Sequence, residues 1–143
     1  AEAEESYMGY ADRQEILGFL NLMLEAERAG AQLTLKLAEE VGSPETGRLL
    51  RHVHKDETYC CQLLMEEIEK LDGTPSGKTG DFYGKVMALE GEAARLQLLN
   101  KGQAWVARKT RDILPRIKND ALHARLTDML LRHDDNIALM DRS

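Results

Sequence analysis

Apolar residues recur along this chain at alternating steps of four and three. Ile16, Leu20, Met23, Glu27, Gly30, Thr34 and Leu37 form one such stripe, the seam spacing of a helix packed in a bundle. Asp12, three residues before Glu15, makes a capping box at its start. Gly42 ends it, Ser43 caps a second helix, and Pro44 takes that helix's first position. The second stripe holds Leu50, Val53, Glu57, Cys60, Leu64 and Leu71, with Ile68 beside it, and Gly73 closes it. Each helix extends roughly 42–45 Å at 1.5 Å per residue. The very short Gly42–Ser43 connection makes them antiparallel neighbours.

Residues 73–80 read as the crossover loop. A third helix is expected from Asp81 to about Leu114, with Phe82, Val86, Leu89, Ala93, Leu96 and Ala107 facing inward, a bend at Gly102 and a stop or kink at Pro115. Asn119 or Asp120 opens a fourth, with Leu122, Leu126, Met129 or Leu130, His133 and Ile137 on its stripe. No segment alternates like a strand. The expected fold is all-α: an antiparallel four-helix bundle of two hairpins over residues 12–143, preceded by a tail at 1–11.

Composition agrees. The 143 residues are 43% hydrophobic and 31% charged, enough for one domain with its own core. No apolar run is long enough for a membrane span, and no signal peptide pattern opens the chain, so a cytoplasmic setting is expected. Adjacent Cys60 and Cys61 point about 100° apart on a helix and cannot readily bridge each other. The net charge of −6 divides unevenly, with 16 acids and 7 bases in residues 1–72 against 9 acids and 12 bases in 73–143. That asymmetry suits two hairpins packed face to face. The run Arg108, Lys109, Arg111, Arg116 and Lys118 lacks interleaved aromatics and reads as a solvated helix end, so no nucleic-acid partner is expected. Gly73-x-x-x-Gly77-Lys78-Thr79 falls one residue short of a phosphate-binding loop and follows a helix instead of a strand.

The chemistry lies on the stripes. Glu27 and Glu57 interrupt apolar seams, where an unpaired carboxylate costs several kcal/mol. Glu27 precedes the inter-helix turn by about as many residues as Glu57 follows it, so the two stand level and face each other. A shared proton, a basic partner or a metal ion must reconcile them.

This arrangement resembles the ferritin-like superfamily, including rubrerythrins and bacterioferritins. Leu24–Gly30, Gly73–Ser76 and Leu99–Lys109 are similar to a bacterial branch of it with a degenerate di-metal motif. The resemblance implies a glutamate on the first helix of each hairpin and Glu-x-x-His on the second, together holding two metal ions. Glu27 and Glu57 match the first hairpin, but Cys60 stands where the histidine belongs. Aligning His133–Asp134 with Asp56–Glu57 makes Asp134 the fourth-helix acid and Ile137 its missing histidine. The corresponding third-helix position then falls near Asn100, while Glu90 and Glu92 lie too far along the chain.

The expected ligand set is Glu27, His54, Glu57, His133 and Asp134, of types that suit iron, manganese or zinc. Cys60 is a further donor, or a small buried hydrophobe. The opposing reading is a metal-free polar layer in which the acids share a proton or pair with His54, His133, Arg28 or Lys101, fixing the register of a structural or protein-interaction module. The resemblance thus implies a metal-binding protein, as an oxidoreductase or in iron handling, with an empty layer equally consistent. A homodimer is the expected assembly. His52 and His123 are expected at the surface, Trp105 in the core or a dimer contact. No nucleophilic triad is present, and the substrate is not legible.

Overall fold

The computed structural model describes residues 9–143, and helices account for most of them. Four long helices form the bundle: α1 (Arg13–Glu40), α2 (Pro44–Lys70), α4 (Glu92–Ile113) and α5 (Asp120–Asp141), with a short α3 (Phe82–Met87) before α4. Of the expected tail, residues 1–8 lie outside the described segment. Gly9–Ala11 meet Arg116, through Ala11 N–H donating to its carbonyl at 2.9 Å and Arg116 Nε donating to the Gly9 carbonyl at 3.3 Å.

Three caps are those the sequence implies, while Asp81, expected to cap the third helix, makes no side-chain capping bond at the start of α3. Asp12 accepts from the Glu15 amide at 2.8 Å, Ser43 from Thr46 at 3.2 Å, and Asn119 from Leu122 at 2.9 Å, each satisfying a first-turn N–H. Pro115 sits in a 3₁₀ turn, Leu114–Arg116, between α4 and α5.

The third helix departs from expectation because it is broken. Residues 88–91 separate α3 from α4, and Gly91 adopts φ +88°, which a side chain would resist. Arg95 braces the break, donating to the carbonyls of Leu89 (2.9 Å) and Met87 (3.1 Å) and to Glu40 on α1 (3.1 Å). Gly102 lies inside α4, with the Phe82 ring of α3 packed closely over it. Ala93, expected inside, is exposed.

The crossover loop is tied to one polar face of α1. Asn21 donates to the Thr74 carbonyl (3.3 Å) and accepts from the Ser76 amide (2.7 Å). Glu25 accepts from the Ser76 hydroxyl (2.9 Å), and Arg28 donates to the carbonyls of Ser76 and Lys78. Steps of four and three place these residues on one side of the helix.

The core falls into two clusters. One gathers Leu20, Met23, Leu24, Leu63, Leu64, Ile68, Leu126 and Met129; the other Leu33, Leu37, Leu50, Val53, Val86, Leu99 and Met140. On every long helix the boundary between them is a polar residue.

Candidate metal centre

That boundary is a buried polar layer. Glu27 is 0% exposed and Glu57 5%, while Gln103 and His133 are each 3% and Asn136 is 2%. Cys60, one turn beyond Glu57, is also fully buried. All four long helices contribute. The layer has an internal repeat. Thirty residues separate Glu27 from Glu57, and thirty separate Gln103 from His133. Three residues then lead from Glu57 to Cys60, and three from His133 to Asn136. Each hairpin therefore places the same three positions inward: Glu27, Glu57 and Cys60 in the first, Gln103, His133 and Asn136 in the second.

The hydrogen bonding leaves this layer short of protons. His133 Nδ1 lies 2.9 Å from the Met129 carbonyl, which can only accept, so Nδ1 carries the hydrogen. His133 Nε2 is then directed at Glu27 Oε1, 2.7 Å away. For a neutral imidazole this sets two lone pairs against each other, and a proton or cation must reconcile them. Glu27 and Glu57 also act on each other's titration, which favours a proton on one of them.

Among the described residues, three buried side-chain oxygens otherwise lack a donor: Glu27 Oε2, Gln103 Oε1 and Asn136 Oδ1. All three belong to the layer. The amide orientations are dictated by their partners. Asn100 Nδ2 serves the Ile137 carbonyl (3.3 Å) and Asp141 (2.8 Å), so its oxygen accepts from Gln103 Nε2 (3.1 Å), leaving Gln103 Oε1 bare. Asn136 Nδ2 donates to Asp56 at 2.9 Å, which leaves Asn136 Oδ1 bare.

Burial chiefly sets the titration. Desolvation raises Glu27 from 4.5 to about 7, with the hydrogen bond from Glu57 opposing and Asp56 adding. Glu57 is raised well above the usual carboxylate range by burial, then by the neighbouring charge of Glu27. The same burial pushes the Cys60 thiol strongly upward and Cys61 up to about 12. Glu57 can approach α1 because residue 30 is glycine. A Cβ there would lie 2.9 Å from the Glu57 carboxyl carbon.

Of the expected ligands, Glu27, Glu57 and His133 meet in this layer. His54 turns aside, its Nδ1 2.7 Å from the Ala31 carbonyl and 3.3 Å from the Thr34 hydroxyl. Asp134 faces away and pairs with Arg111 at 2.8 Å. The ligand atoms of Glu27, Cys60 and His133 all lie within 4.8 Å of one another. His52 is exposed, while Trp105 packs half-buried against the larger core cluster.

Residues 14–142 match a domain family of unknown function, DUF6306. The chain belongs to the DUF6306 family. Among curated proteins nothing matches it. The DUF6306 bundle is similar to a crystal structure described as ferritin like, diiron-carboxylate proteins from Bacillus anthracis str. Ames. The TM-score is 0.79 at 18% identity, covering 91% of this chain and 95% of that one. The fold is ferritin-like, and at that identity the likeness speaks for the fold alone. No helix among the described residues is long and apolar enough to cross a membrane.

Two layer residues, Gln103 and Asn136, have no charge to betray them in the sequence. The thirty-residue hairpin offset counted back from His133, instead of Asp134, finds Gln103, and the three-residue step from Glu57 to Cys60 repeated after His133 finds Asn136.

Proposed function

We propose that this DUF6306 protein binds one divalent transition-metal ion inside its bundle, through Glu27, Cys60 and His133 with Glu57 beside them. One observation carries the reading: the donor-deficient polar layer contains a carboxylate oxygen, a thiol sulfur and an imidazole nitrogen close enough together to ligate a single ion. The His133 contact to the Met129 carbonyl adds support, because ligating histidines commonly donate their second N–H to such a group. Sulfur, nitrogen and oxygen together favour zinc or ferrous iron over manganese. A bound cation would also reverse the effect of burial, favouring the thiolate and carboxylates over their neutral forms.

A two-iron centre of the kind named for the Bacillus anthracis structure does not fit. That pattern uses four carboxylates and two imidazoles. Here Gln103 and Asn136 supply amides, His133 takes a carboxylate position and Cys60 an imidazole position. The two remaining glutamates and one thiolate supply three negative charges against four on two divalent ions, and only one imidazole remains.

The second reading is a metal-free layer that holds a proton in place of an ion, favoured by the burial that raises both Glu27 and Glu57. Titration with Co²⁺ separates the two. The metal reading expects a thiolate-to-cobalt charge-transfer band that saturates and disappears in Cys60→Ala. A spectrum unchanged by cobalt supports the proton-holding layer.

A further inference from the structure

A cavity of about 450 Å³ lies between α1 and α4, closed on one side by residues 79–81 and by Phe82 of α3. It sits where the third helix departs from a continuous course, with α3 set apart and its Phe82 ring over Gly102. Leu22, Ala26, Phe82, Leu98, Trp105 and Val106 form apolar walls. Glu27, Glu57 and Gln103 also line it, but burial leaves them almost no surface to offer a ligand. The charges at the rim cancel. Glu25 and Asp81 stand there with Lys85 and Lys101, and Asp81 pairs with Lys85 at 3.5 Å. Leu22, 46% exposed, leaves part of the apolar wall open to solvent.

From these walls and this rim we infer that the cavity binds a small uncharged compound with a compact apolar body. Its volume lies in the range of small-molecule sites. An apolar cavity of about 150 Å³ takes up benzene, so one about three times larger suits a body of about two or three rings. Apolar surface on ligand and wall would leave water together, which favours binding. A charged head of either sign, carried inside, would lose its hydration and meet no accessible partner. At the rim, neither sign of charge is preferred. The inference stands apart from the metal reading, since neither Cys60 nor His133 lines the cavity and no polar group of the layer is called upon.

The test uses the full chain treated with chelator and compares 1-adamantanol, 1-adamantylammonium and adamantane-1-carboxylate, which share one apolar cage. Trp105 is the chain's only tryptophan and lines the cavity, so its emission reports occupancy, with calorimetry as a second readout. 1-Adamantanol should bind saturably and at least about tenfold more tightly than either charged cage. Ala26→Phe should fill the cavity and abolish binding, and Leu22→Glu, which puts a charge on the wall, should weaken it by about tenfold. Leu131→Glu, at a position 57% exposed on α5 and outside the cavity, should bind like the parent. Absence of saturable 1-adamantanol binding, or a charged cage binding as tightly, would overturn the inference. So would Leu22→Glu binding like the parent, or Leu131→Glu weakening binding as much as Leu22→Glu. Because no metal is present, failure here leaves the metal reading to stand or fall separately.

Discussion

Replacing both core glutamates with glutamine should change how the metal-free protein responds to pH. Glu27 has a folded pKa of about 7 against 4.5 for its ordinary value. Between those values the folded state therefore holds more protons than the unfolded state. The sign follows from proton linkage: where the native state binds the extra proton, stability falls as pH rises. At 1.36 kcal/mol per pKa unit, Glu27 alone should cost the fold roughly 2–3 kcal/mol between about pH 5 and pH 8. Glu57, raised further by burial and by Glu27, adds a loss in the same direction. Urea unfolding of chelator-treated protein across that range measures it directly. The parent should lose stability as pH rises, and Glu27→Gln/Glu57→Gln should show a shallower dependence by at least that amount. Parallel curves for the two proteins would refute the reasoning.

Other expectations follow from the same geometry. Cys60→Ala should weaken zinc binding by about two orders of magnitude through loss of a ligand, read by competition with a chromogenic chelator; unchanged affinity would remove Cys60 from the site. Gly30→Ala gains about 1 kcal/mol of helix propensity. It also places a methyl 2.9 Å from the buried Glu57 carboxyl, so a net loss of about 1–3 kcal/mol is expected in urea melts. A more stable variant would mean that Glu57 moves aside freely. The combined variant Cys60→His, Gln103→Glu, His133→Glu and Asn136→His restores a full carboxylate and imidazole set at the repeated positions. It should take up about two ferrous ions per chain by elemental analysis. Failure of the folded variant to gain a second ion would argue against the thirty-residue correspondence.

The bundle was largely legible in the sequence because its signals are local and concordant. Asp12, Ser43 and Asn119 cap the helices they were expected to cap. The break before α4 was not legible, since it goes with the positive φ of Gly91 and with a tertiary contact, the Phe82 ring over Gly102. In the layer, Glu27 and Glu57 announced themselves as charges on apolar stripes. The second hairpin showed only His133, because an amide such as Gln103 or Asn136 on a stripe carries no such cost in plain view. A one-residue slip in the hairpin alignment adds Asp134 beside His133, yet Asp134 pairs outward with Arg111. His54 looked like a ligand by its spacing from Glu57. Its Nδ1 contact to the Ala31 carbonyl belongs to the packing of α2 against α1.

The measurement that bears most directly on the central claim is the metal stoichiometry of the intact protein, loaded with zinc or ferrous iron and freed of excess by gel filtration. Binding at Glu27, Cys60 and His133 predicts about one ion per chain, lost in Glu27→Ala and in His133→Ala. Content well below one ion per chain in the parent, or two ions retained, would contradict it.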